Sequence, residues 1–149
     1  MDEAERLRVL TGLGGPVQHD LNNLVMVVTA NLDLLRKGTT TEAQTRQLGR
    51  VSEAITRLEA VTRTLCDQLR APKEGLVRAS DAVKALRPLL EVLVPKPGAL
   101  TITLAEDDPP QALDRTALAM WLLAAAQAAG KQGPLSISVG SDGEVSVHP

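Results

Sequence analysis

His19, Asp20 and Asn23 are the residues whose types and spacing could do chemistry. They lie in the run from Gly14 to Leu35, GGPVQHDLNNLVMVVTANLDLL. A neutral imidazole is a nucleophile or a general base near neutral pH. Asp20 follows it directly, and Asn23 lies four residues on, one helical turn along the same face. An imidazole with a carboxylate and an amide beside it is a site if it faces solvent. The same histidine on a buried stripe would be a core residue.

The element that carries these residues decides between the two. Val17, Leu21, Leu24, Val28, Leu32 and Leu35 step by three and four, the spacing of one apolar helical stripe. His19 comes two positions after Val17, so it projects roughly 200° from that stripe. The expectation is a long helix with His19 outward. An ordinary surface histidine is the bland alternative. Asp2 to Thr11 reads as a helical lead-in, with Asp2, Glu3 and Glu5 at its start. Gly12, Gly14, Gly15 and Pro16 then interrupt. Either Pro16 restarts the helix in its first turn or one continuous helix is kinked there. The helix should stop near Lys37-Gly38, with Thr39 to Thr41 as a turn and Thr40 or Thr41 as the next cap.

A second helix is expected from about Thr41 to Arg70. Its stripe is Leu48, Val51, Ile55, Leu58, Thr62, Leu65 and Leu69, while Arg46, Arg50, Glu53, Arg57, Glu59 and Arg63 fall on other faces. Two long helices and a short loop make an antiparallel hairpin. One hairpin cannot cover both of its apolar faces, so a homodimeric four-helix bundle is expected. The alternative is that the C-terminal half folds back over the hairpin.

Ala71-Pro72-Lys73-Glu74-Gly75 reads as a linker. It divides the chain into a helical hairpin domain, residues 1–71, and a small α/β domain, residues 76–149. In the latter, Ser80 to Leu93 reads as a helix containing Pro88, Leu100 to Ala105 as a strand, and Glu106 to Gln111 as an acidic loop. Asp114 should cap a helix running to about Ala129. Pro134 to Val139 and Glu144 to Val147 should form a hairpin around Asp142-Gly143. The fold class is mainly α with a small α/β part.

Composition sets the outer limits. The chain has 149 residues, 44% of them hydrophobic, and Trp121 is the sole aromatic residue, so the core must be built from Leu, Val and Ala. The net charge of −2 argues against nucleic acid as a partner, because a phosphate backbone needs a concentrated basic face. Cys66 is the lone cysteine, which excludes an intrachain disulfide and allows a reducing compartment. No signal-like start and no apolar run near twenty residues is present, so a cytoplasmic protein with no membrane partner is expected. No metal-ligand spacing is visible.

The string HDLNN, preceded by Gly-Gly and followed by an apolar helix ending NLDLL, resembles the dimerisation and histidine-phosphotransfer domain of bacterial sensor histidine kinases. The resemblance covers about residues 11 to 70. From Leu100 through Asp114, Leu118, Leu122 and Leu123, the second half looks like a reduced ATP-binding domain of the same kinases. It departs from the pattern where that family carries a metal-binding Asn, since the corresponding stretch is Ala124-Ala125-Ala126-Gln127-Ala128-Ala129. The family's Asp-x-Gly-x-Gly segment and second Gly-rich loop are also missing, with only Asp142-Gly143 coming close. What remains is similar to dimeric histidine phosphotransferases on a kinase-like scaffold, the ChpT type and the sporulation phosphotransferase.

That resemblance implies that His19 accepts a phosphoryl group from a receiver-domain Asp and passes it to another receiver. Asp20 would orient the ring tautomer or accept the proton, with the distal ring nitrogen attacking. Asn23 would bond phosphoryl oxygens or position a water, which leaves a phosphatase role open. No intrinsic cofactor is implied, since a receiver domain brings its own Mg²⁺. Expected partners are response-regulator receiver domains, with a hybrid histidine kinase as a further candidate. Met26, Val27 and Ala30 lie below His19 on the same face and would dock a receiver helix, or else pack inside the bundle. A degenerate kinase and a non-catalytic dimeric adaptor are the competing functions. Elsewhere, Trp121 is expected to anchor the small domain's core, Cys66 to be inert and His148 to be disordered. Asp107-Asp108 should be an exposed loop without chemistry, and Arg46 or Arg50 could meet an acidic receiver.

Overall fold

The computed structural model describes residues 3–38, 41–69 and 75–148, with the side chains of Leu69 and Gln132 outside the description. The linker reading at 71–74, the domain boundary at 71, the turn at Thr39 and Thr40, the Thr40 cap, and the end of the second helix at Arg70 fall outside these residues.

Two long helices come first, α1 (Glu3–Arg36) and α2 (Thr41–Leu69). α1 is one continuous helix, so the lead-in and the His19 segment are not separate elements. Pro16 lies inside it. A proline here lacks the N–H that would reach Gly12, and its ring normally crowds the residue before it. That residue is Gly15, which has no Cβ to crowd. Leu13 and Val17, buried on either side of the proline, hold the helix to the core. α1 stops as anticipated: Gly38 takes φ +72°, and its N–H bonds the Leu35 carbonyl at 3.3 Å.

The expected stripe of α2 divides. Val51 is buried, and Leu58 and Leu65 are half-buried. Leu48 and Ile55 are 55% and 49% exposed, and Thr62 lies outward with them. Ala54, Val61 and Thr64 complete the inward side instead.

The remaining elements are β1 (Leu76–Val77), α3 (Ala79–Leu93), β2 (Leu100–Leu104), β3 (Gln111–Ala112), α4 (Arg115–Ala129), β4 (Leu135–Val139) and β5 (Val145–His148). β2 and β4 run parallel, with α4 as their crossover, and β5 returns antiparallel along β4, giving the order β2-β4-β5. β1 and β3 form a separate antiparallel pair that the sequence pattern did not suggest. The Asp114 cap is present, its Oδ1 accepting from the Ala117 N–H at 2.9 Å. In the β4–β5 turn, Asp142 Oδ1 accepts from the Glu144 N–H, and Gly143 takes φ +80°.

One apolar cluster joins the two halves. Val9, Leu13, Val17 and Val61 of the hairpin share it with Val83, Leu89 and Leu90 of α3, Leu122 and Leu123 of α4, and Leu135 and Ile137 of β4. A hydrogen bond from Gln127 Nε2 to the Val9 carbonyl, 2.9 Å, ties α4 to α1. The base of the hairpin is therefore covered by the C-terminal half, while its far end is not.

Three local expectations are corrected. Trp121 is 47% exposed, because Leu118, Leu122, Leu123 and Ala126 take the buried face of α4 and Trp121 falls on the other. His148 is part of β5, paired with Ser136. Asp108 is 2% exposed: its carboxylate accepts from the Ser80 N–H at 3.0 Å, from the Ser80 hydroxyl and from Arg78 Nε at 3.2 Å. It thereby serves the open N-terminus of α3 from a distant loop.

Candidate functional site

The site lies midway along α1, on the face turned away from Val17. His19 is exposed. Its Nδ1 stands 3.1 Å from Asn23 Nδ2, one turn on. That contact selects a tautomer. With the amide nitrogen toward the ring, Nδ1 accepts and Nε2 carries the proton. With the amide turned over, its oxygen accepts from Nδ1–H, and the Nε2 lone pair faces solvent. The structure has the first arrangement, and turning the Asn23 amide over gives the second, which leaves a nucleophilic distal nitrogen.

Asp20 is half-buried at the edge of the hairpin seam. Its Oδ1 accepts from Arg57 Nη2 of α2 at 3.1 Å. Its Oδ2 is buried and has no hydrogen-bond partner. The ring of His19 is thus held by Asn23, and the adjacent carboxylate is held by Arg57. One carboxylate oxygen remains without a hydrogen-bond partner.

Below His19, Met26 is 63% exposed, and Val27 and Ala30 are exposed with it. These three do not pack within the hairpin. The neighbouring Asn31 is buried and donates to the Val27 carbonyl at 2.7 Å, which satisfies its amide on the inward side of the helix.

Arg57 is the member of the site that the sequence pattern did not single out. It reads as one of several arginines on the solvated face of α2. Its pairing with Asp20 spans 37 residues and depends on the register of the hairpin. Arg46 pairs weakly with Glu42 at 3.9 Å, on an exposed part of α2. Among the described residues no group of three or more His, Cys, Asp or Glu could hold a metal ion, and no helix is long and apolar enough to cross a membrane.

The stretch Ala124–Ala129, where the resembled kinases would carry a metal-binding Asn, is packed against α1. Its polar residue, Gln127, is committed to the Val9 carbonyl. Comparison with known proteins gives no matching family model and no matching curated relative.

Proposed function

We propose that this chain is a histidine phosphotransferase of a two-component phosphorelay, with His19 as the phosphoryl acceptor and donor. The observation that carries the reading is the exposed His19 with its ring held at Nδ1 by Asn23. An in-line attack on a receiver phospho-aspartate needs alignment and charge neutralisation more than new covalent machinery. Nε2 forms the bond to phosphorus as the aspartyl oxygen leaves. In this reading Asp20, whose Oδ2 has no partner, takes up the positive charge or proton that develops on the ring. Mg²⁺ belongs to the receiver. Met26, Val27 and Ala30 form the docking strip for a receiver helix.

The acting unit is a homodimer in this reading. Leu7, Gly14, Gln18, Leu21, Val25 and Leu32 follow one another by steps of three, four and seven, so they share one face of α1. Leu7, Val25 and Leu32 are exposed, and Leu10, Leu13, Gly14, Val17, Leu21 and Leu65 line a groove of about 400 Å³. On α2, Leu48, Ile55 and Thr62 repeat every seven residues and are also uncovered. Paired seven-residue rows are what a four-helix bundle buries. The commitment of Gln127 to α1 supports phosphotransfer without autonomous ATP-dependent phosphorylation.

The test is a labelled transfer assay with the whole chain. Label is expected on the protein from phosphorylated receiver domains, not from γ-labelled ATP alone, and not in His19→Ala. Label from ATP alone would replace this reading with a kinase. Receiver binding without label, unchanged in His19→Ala, would replace it with an adaptor.

A further inference from the structure

A second feature lies on the other side of Arg57. The loop from Val94 to Leu100, between α3 and β2, faces α2 across a cleft of about 270 Å³. Arg57, Arg87 and Lys96 line it, with Glu91 the sole acidic lining residue. On a chain of net charge −2, this is a local excess of two positive charges. Arg87 and Lys96 are exposed, and their side chains make no hydrogen bond or ion pair among the described residues. Lys96 stands between Pro95 and Pro97, and Gly98 turns the chain at φ +76°. Two fixed proline φ angles hold that loop in shape before any ligand arrives. Leu100 and Ile102 of β2 give the cleft an apolar floor. Arg57 and Glu91 also border an adjoining recess lined by Thr56, Ala60, Val61 and Pro88, with Ser52 and Glu53 also lining it.

We propose that this cleft binds a small organic phosphate, and that the ligand shares the Arg57 guanidinium with Asp20. A phosphate monoester carries close to two negative charges at neutral pH, which matches the excess on the lining. Guanidinium groups recognise its oxygens in pairs of hydrogen bonds, and the ammonium of Lys96 adds a point charge. The apolar recess takes the organic substituent. Arg57 has five N–H donors, and Asp20 engages one nitrogen at 3.1 Å. Ligand oxygens and Asp20 therefore compete for one cation, and the ligand loosens the hold on the carboxylate beside His19. The proposal does not depend on what His19 does.

The experiment is a titration of the whole chain, followed by backbone amide NMR shifts, with phenyl phosphate and inorganic phosphate as probes. Saturable shifts are expected at Lys96 and Gly98, with phenyl phosphate the tighter of the two. Arg87→Gln combined with Lys96→Gln should weaken binding about tenfold or more, the loss that follows from removing hydrogen bonds to a charged group. Both residues are exposed, so folding is not at stake. Asp20→Asn should tighten binding several-fold, because Arg57 is released. No saturable shift into the millimolar range, or shifts that persist unchanged in the double variant, would overturn the site. Equal affinity of the two probes would overturn the organic part, and unchanged affinity in Asp20→Asn would overturn the sharing of Arg57.

Discussion

Arg57 Nη2 lies 3.1 Å from Asp20 Oδ1, so the carboxylate next to His19 is positioned from the opposite helix of the hairpin. The pair is partly exposed. Pairs of this kind contribute about 0.2–1 kcal/mol, so the contact says more about geometry than about stability. Arg57→Ala is expected to lower unfolding free energy by less than about 1 kcal/mol. Its effect on His19 phosphorylation by a receiver should be larger in proportion. Asp20→Asn, which removes the proton-accepting oxygen, should slow that transfer by roughly 10²-fold. Time courses of labelled transfer beside denaturant titrations separate the two effects. Equal transfer rates in wild type and Asp20→Asn would remove Asp20 from the mechanism.

Asn23 touches the ring that it holds, at 3.1 Å from Nδ1. Nitrogen-15 shifts of the His19 ring report which nitrogen carries the proton. For transfer through Nε2 the neutral wild type should show Nδ1–H, with the Asn23 amide turned so that its oxygen replaces Nδ2 as the ring's partner. Asn23→Ala should shift the population toward Nε2–H and slow transfer by an order of magnitude. An unchanged tautomer in Asn23→Ala would mean that the contact does not set the ring.

The parts of this arrangement that follow from local pattern were legible in the sequence. His19 stands away from the Val17 stripe because helical periodicity alone puts it there. Asp114 caps α4 because an N-cap needs no distant partner. Partners set by tertiary register were not legible. Arg57 looks like its neighbouring arginines until the hairpin closes on Asp20. Asp108 reads as an exposed acid until the loop folds onto Ser80 and Arg78. Trp121 misled because bulk suggests a core anchor, whereas a face of leucines and alanines filled the space first.

Asp108 gives the fold a directional pH response. The Ser80 hydroxyl bond, followed by the Ser80 backbone bond and the Arg78 contacts, holds its carboxyl below the ordinary carboxylate range, against the opposing effect of burial. A depressed folded-state pKa stabilises above the unfolded pKa, and the contribution is lost as pH falls through the folded value. Asp108→Asn should therefore lower the melting temperature at neutral pH. The gap to wild type should close only in strong acid, below the usual carboxylate range. Thermal melts across that range provide the check, and a pH-independent gap would show that the ionised form does not contribute.

The glycines of the two hairpin helices are not equivalent. Alanine is favoured over glycine inside a helix by up to about 1 kcal/mol. Gly49 of α2 has open space where a Cβ would go and precedes no proline, so Gly49→Ala should be stabilising by about 0.5–1 kcal/mol. A Cβ at Gly12 would stand 2.9 Å from the Gln127 amide, the group that bonds Val9. Gly12→Ala must push that amide aside, so its gain should be cancelled or reversed. Matched denaturant titrations of the two variants test this contrast. Equal stabilisation by both would show that the Gln127 contact contributes nothing to holding α4 on α1.

Ile55 is the most direct probe of self-association. It sits in the uncovered row Leu48, Ile55 and Thr62, while Val51, Ala54 and Val61 on the same helix are buried within one chain. Those two sets belong to different faces, so a charge at Ile55 should spare the fold of the chain and affect only what covers the outer row. A buried, unpaired carboxylate at a helix–helix interface is strongly unfavourable. Ile55→Asp should therefore convert a dimer into a monomer with its helical content retained, as measured by sedimentation and far-ultraviolet circular dichroism. Arg57, two residues on, points to Asp20 and the cleft rather than to that row, so Arg57→Ala should leave the dimer intact. A wild-type chain that sediments as a monomer at high concentration would overturn the bundle. Loss of helix in Ile55→Asp would instead show that the hairpin cannot stand without its partner, as in an obligate dimer whose folding and association are one event.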